Sequence, residues 1–119
     1  QGMPLHQQLL DRDCRRIAQT FTSPTYRLYA LANTTPPKPG LVRDSTKGNA
    51  IEIEVYEMPV RHVGSFLSLI PAPLGLGSVE LADGTWVKGF ICEPWAIELA
   101  QDISHLGGWR AYIASLEIR

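Results

Sequence analysis

Cysteine is scarce in this chain. Cys14 and Cys92 are the only two among 119 residues. They form no CxxC pair, and no histidine or cysteine cluster has metal-ligand spacing, so no metal is expected. One thiol falls in a helical pattern and the other in a strand pattern. Two buried, reduced thiols follow, with a disulfide unforced, and the cytosol is the expected compartment. No apolar run reaches the ~20 residues of a membrane span. The N-terminus lacks the charged-then-apolar pattern of a signal peptide. A membrane partner is therefore not expected.

Charge of one sign is lacking too. Eleven basic residues face 12 acidic ones, for a net charge of −1. No basic block stands out, which removes the electrostatic footprint of a nucleic-acid binder. The chain carries no GxSxG, no GxxxxGK[ST] and no GxGxxG, and no cofactor is expected. What remains is ordinary globular composition, 45% hydrophobic and 19% charged. The length suits a single domain over residues 1–119 with a real core.

Proline and glycine punctuate the chain into short elements. The stretch "MPLHQQLLDRDCRRIAQTF" (3–21) has apolar residues at Leu5, Leu9 or Leu10, Cys14, Ile17 and Phe21. That spacing predicts a helix. "YRLYAL" (26–31) alternates as a strand, with Tyr26, Leu28 and Ala30 on one face. Pro36, Pro37 and Pro39 make "ANTTPPKPG" (32–40) a stiff extended loop. A short strand and turn follow from Leu41.

"AIEIEVYEM" (50–58) alternates cleanly, Ile51, Ile53 and Val55 against Glu52, Glu54 and Tyr56. "PVRHVGSFLSLI" (59–70) reads as helix. "SVELADGTWVKGFIC" (78–92) is a hairpin around Asp83-Gly84. Residues 93–101 form a short helix and 102–116 another. The order gives an α+β fold, a small mixed or closed sheet with helices outside it.

Few residues point to chemistry. Lys88 shares a strand face with Trp86. It is either a solvated lysine or an ammonium over an anion, with Gly89 allowing close approach. Glu52 and Glu54 face the same way; they are a wetted sheet face or a paired acid–base site. His6, His62 and His105 have no legible nucleophile partner. Trp95, Trp109 and Tyr112 are core or interface. Gly107-Gly108 reads as a turn into a helix.

Taken together, "GMPLHQQL" (2–9), "YRLYAL" (26–31), "PPKPGLVR" (36–43), "IPAPLGLGSVELADGTWVKGFICE" (70–93) and "GGWRAY" (107–112) resemble the C-terminal domain of allophanate hydrolase. They cover nearly the whole chain in order, and the combination is specific. The resemblance implies a fold similar to gamma-glutamyl cyclotransferase, a small mixed β-barrel flanked by helices. It implies excision from a longer polypeptide, with an amidase domain of that polypeptide as partner. In that family the amidase domain turns allophanate into N-carboxycarbamate, in urea or cyanuric acid breakdown, and this domain decarboxylates the product. A role in homo-oligomer assembly is the alternative.

Cyclotransferases carry a YGSL-like loop after the first strand. Here "YALA" keeps Tyr29 and Leu31 but not Gly-Ser. The acid that cyclotransferases place after the middle helix has no counterpart in "IPAPLG". Cyclotransferase activity is therefore not expected. For decarboxylation, the resemblance points to Lys88 and the backbone of Tyr29, Ala30 and Leu31 to place carboxylates. Gly40 and Gly75 would allow close approach, and His6 would be the proton donor.

Overall fold

The computed structural model describes residues 8–32 and 38–117. Its strands are β1 (Arg15–Phe21), β2 (Tyr26–Ala30), β3 (Pro39–Arg43), β4 (Glu52–Glu57), β5 (Leu74–Glu80), β6 (Trp86–Cys92) and β7 (Gln101–Asp102). Two short helices are α1 (Val63–Leu67) and α2 (Trp109–Glu117). Three 3-10 turns, Val60–His62, Pro94–Leu99 and Ser104–Leu106, complete the described elements.

The expected helix over 3–21 is not one element. Residues 8–10 are helical, but Asp13 has φ 57°, a left-handed turn that ends the helical path. From Arg15 the chain is a strand, paired antiparallel with β4 with a register shift between Arg16 and Ala18. A ladder of polar pairs zips them: Arg15 to Glu57 at 3.1 Å, Arg16 to Glu54 at 2.9 Å and Gln19 to Glu52 at 3.0 Å. These cross-strand partners are remote in sequence, so local spacing could not reveal them. Ile17 and Phe21, expected inside, are about half exposed.

The strand at 26–31 is as expected, with Tyr26, Leu28 and Ala30 buried in alternation. It is the centre of a three-stranded sheet, β3-β2-β7. The hairpin is as expected at its turn. Gly84 takes φ 89°, and Asp83 Oδ1 accepts hydrogen bonds from Thr85 N and Oγ1 at 2.9 and 2.7 Å. Its first strand starts earlier than expected, at Leu74, inside the glycine collar. Gly77 permits this, because a Cβ there would sit 2.5 Å from Ile91 Cδ1. The expected helix over 59–70 shrinks to a 3-10 turn and α1. The one over 93–101 is a 3-10 turn. The one over 102–116 keeps only α2, after a left-handed Gly107.

The expected small barrel is not closed. Closure needs a continuous ladder around the ring. Among the described residues the strands fall into three separate sheets, β1-β4, β3-β2-β7 and β5-β6. Isolated bridges lie outside them: Thr22 with Leu81 between the ends of β1 and β5, Tyr26 with Asn49, and Glu52 with Gly108. The fold is a small mixed α/β domain with several sheets.

Two hydrophobic clusters form the interior. The larger holds Tyr26, Leu28, Ala30, Leu41, Ile51, Val79 and Ile103, and the smaller holds Leu9, Cys14 and Phe66. The larger is pinned by buried hydroxyls. Thr22 Oγ1 accepts from Ile51 N at 3.0 Å, and the Tyr26 hydroxyl accepts from Glu80 N at 2.9 Å. Ser104 Oγ accepts from Leu28 N at 2.8 Å and donates to Asp102 at 2.6 Å. Arg27 Nε reaches the same carboxylate at 2.7 Å. Burial alone would raise the Asp102 pKa, but the Arg27 and Ser104 hydrogen bonds outweigh it and hold the carboxyl below its usual range.

Candidate functional site

A groove of about 810 Å³ lies between the two clusters. From the larger one it takes Leu41, Ile53, Val79, Val87 and Trp109; from the smaller, Leu9, Tyr56, Met58, Phe66 and Phe90. Strand β4 and Met58 border it lengthwise, and β6 contributes Val87 to Phe90 opposite. Such a volume is in the usual range of ligand sites.

Lys88 is on this groove. It lies on the exposed face of β6, as alternation with Val87 required, and its Nζ is 3.2 Å from the neutral Ser78 hydroxyl. Gly89, beside it, faces inward. A Cβ there would come within 3.0 Å of Val79 Cγ2, so this glycine is needed for packing across the hairpin. Arg110, on the first turn of α2, also lines the groove. Among the described residues neither cation pairs with a carboxylate.

The acids on the groove do have partners. Glu54 is held by Arg16 and by the Tyr56 hydroxyl, which donates at 3.2 Å. Burial raises its pKa, but these hydrogen bonds outweigh that and lower it. Burial, then the neighbouring Glu54 charge, pushes the Tyr56 phenol up. The proton therefore stays on Tyr56 and the charge on Glu54. Glu52 accepts from Gln19, and Glu57 pairs with Arg15.

The other expected site residues are elsewhere. Tyr29 pairs with Gly40 and Asp102, and Ala30 with Pro39 and Gln101, on both sides of β2. Leu31 N donates to Lys38 O at 3.0 Å. Their backbone is engaged in the sheet and does not line the groove. Gly40 is buried, and a Cβ there would meet Leu31 Cδ2 at 2.9 Å and Cys92 at 3.0 Å. It admits neighbouring side chains. Gly75 lines a smaller recess of about 330 Å³ with Ile91, Cys92, Glu93 and Pro94. His6 lies outside the described residues. His62 Nε2 is 3.7 Å from Asp13, and His105 is exposed, away from the groove. No cluster of histidine, cysteine and acids that could hold a metal occurs among the described residues.

Sequence reasoning missed Tyr56, Met58, Phe66, Phe90 and Arg110 as groove residues. The available signal was the clean alternation of 50–58, which marked a strand with two distinct faces. Trp109 and Tyr112 resolve as packing: their rings are 5.1 Å apart against the larger cluster. Trp95 is 62% exposed.

Fold and groove define a small mixed α/β domain with a walled, largely apolar groove carrying two cations that pair with no carboxylate among the described residues. A family model described as "Allophanate hydrolase C-terminal domain" matches residues 1–114. The chain belongs to that family. It is 44% identical to the urea amidolyase of Saccharomyces cerevisiae, over 98% of this chain and 6% of that protein. For the urea amidolyase of Lachancea kluyveri the identity is 43%, over 98% and 7%. The chain thus spans under a tenth of the curated relatives' length. Among solved structures it superposes on Kluyveromyces lactis allophanate hydrolase with a TM-score of 0.93 at 42% identity, covering 98% of this chain and 20% of that one. A uropathogenic E. coli-specific protein matches with a TM-score of 0.88 at 28% identity, covering 96% of this chain and 87% of that one. No helix of the described residues is long and apolar enough to cross a membrane.

Proposed function

We propose that the groove holds N-carboxycarbamate, the product of a preceding amidase domain, and decarboxylates it. The observation that carries this reading is Lys88: an ammonium on a mostly apolar wall, with no carboxylate partner among the described residues. N-carboxycarbamate carries two carboxylates on one nitrogen. The C–N bond to one of them breaks, its electron pair stays on nitrogen and takes up a proton, and CO2 leaves. Carbamate remains.

Lys88 would hold the retained carboxylate, since a cation on the departing one would oppose CO2 loss. The departing carboxylate faces the apolar wall, where losing its charge is favoured over keeping it. His6 is the proposed proton donor, because imidazole titrates near neutral pH. The reaction needs no electron-sink cofactor, since carbamates decompose readily in water.

In the test, Lys88→Ala should release CO2 from freshly generated N-carboxycarbamate at least tenfold more slowly, with an unchanged circular dichroism spectrum. Release equal to wild type, with both at the spontaneous rate, would sink the proposal.

The exposed Trp95 and Leu99, on one 3-10 turn, favour assembly as a second reading. Sedimentation of the domain across concentrations tests it. A species that stays monomeric at every concentration counts against homo-oligomer formation through this turn.

A further inference from the structure

The groove is far larger than a small dianion needs, and most of its wall is apolar. Strand β4 and Met58 border it over seven residues, 52 to 58, roughly 20 Å at strand rise. Away from Lys88 it is walled by Met58, Val63, Phe66, Leu67 and Phe90. The acids bordering this half, Glu54 and Glu57, have arginine partners. Among the described residues the groove's charges without an ionic partner are the cations Lys88 and Arg110 and the Glu52 carboxylate, which accepts from the neutral Gln19 amide. One cationic point followed by a long aliphatic and aromatic wall fits an anion with an apolar tail.

We propose that the groove binds a medium-chain monocarboxylate. Its carboxylate sits on Lys88, and its alkyl chain runs past Phe90 toward Phe66 and Met58. The head-group contact rests on the same reading of Lys88 as an anion holder; the tail does not. This ligand class is distinct from the dicarboxylate of the proposed reaction, and it would compete with it for Lys88.

The probe is decanoate, kept below its micelle concentration and followed by calorimetry. Octanoate, decylamine and malonate are the controls, each titrated into the wild-type chain and into Lys88→Met. Decanoate should saturate one site. Octanoate should bind about fifteenfold more weakly, the expected loss for two methylenes. Decylamine should bind at least tenfold more weakly than decanoate, and Lys88→Met should weaken decanoate at least fivefold while making decylamine, relieved of a like charge, bind no more weakly. Should Lys88→Met fail to fold, Lys88→Gln gives the same comparison.

Non-saturating decanoate, equal binding of decylamine, or no effect of the Lys88 substitution would overturn the proposal. The malonate arm separates it from the decarboxylase reading. Malonate binding without decanoate binding removes only the monocarboxylate site. Decanoate binding without malonate binding removes only the dicarboxylate reading.

Discussion

The two hydrophobic clusters of this domain are finished differently. In the larger, Tyr26 and Ile103 are fully buried and Ile51 is 1% exposed. Each polar group that dips into it finds a partner: Thr22, Ser104 and the Tyr26 hydroxyl all bond to backbone. The smaller cluster has three buried members, Leu9, Cys14 and Phe66, at 6 to 9% exposure. Its flank is the groove. Hydroxyl pins seal one cluster, while the other ends in an open apolar wall. The difference places the best-pinned packing in the larger cluster, while the groove, which also touches Leu41 and Val79 of that cluster, opens along the smaller one.

Five substitutions in three comparisons probe that contrast, ordered by the largest expected effect in each. Ile103→Ala opens a cavity in the sealed half and should cost about 3 kcal/mol in urea unfolding, whereas Met58→Ala on the groove should cost under about 1. Equal losses would erase the distinction.

The two glycines expected to admit a ligand come next. Gly40→Ala places a Cβ at 2.9 to 3.0 Å from Leu31 and Cys92, and should cost about 2 kcal/mol by overpacking. Gly75→Ala meets nothing within 4 Å and should stay within about 0.5 kcal/mol. A neutral Gly40→Ala would mean that the Cys92 side of the sheet yields more than its burial implies.

The third comparison, Asp102→Asn, should cost about 1 kcal/mol at neutral pH, since the pair with Arg27 is partly exposed. Its pH signature is specific. The Asp102 pKa is lower in the folded chain, so its contribution is full above the unfolded carboxylate pKa, about 4, and is lost as pH falls through the folded value. The variant should therefore lose less stability than wild type between about pH 5 and 2. Parallel pH profiles would assign the pair no role in pinning β7 to β2.

Much of this was legible from residues. The alternation of Tyr26, Leu28 and Ala30 marked a central strand, because a two-residue period has one buried face. Asp83-Gly84 marked the hairpin, because only glycine takes the positive φ there without strain. Lys88 could be put on the exposed face of β6 by the same alternation. The strand at 15–21 was not legible. Its apolar residues match helical spacing, and its true partners, Glu52, Glu54 and Glu57, are more than 30 positions away. The groove was not legible either. Its walls come from β1, β3, β4, β5, β6 and both helices, and no local pattern records that two clusters stop short of each other.

By itself the sequence determined the family, the punctuation into short elements, the hairpin turn and the face on which Lys88 stands. These depend on backbone conformational limits and on side-chain period, which act within a few residues. Tertiary structure decided that the barrel stays open, that Gly40 serves packing, and that Lys88 and Arg110 share a groove with no carboxylate paired to either among the described residues. Those outcomes depend on which distant surfaces meet and how much volume they leave, a balance of packing across the whole fold that no short stretch contains.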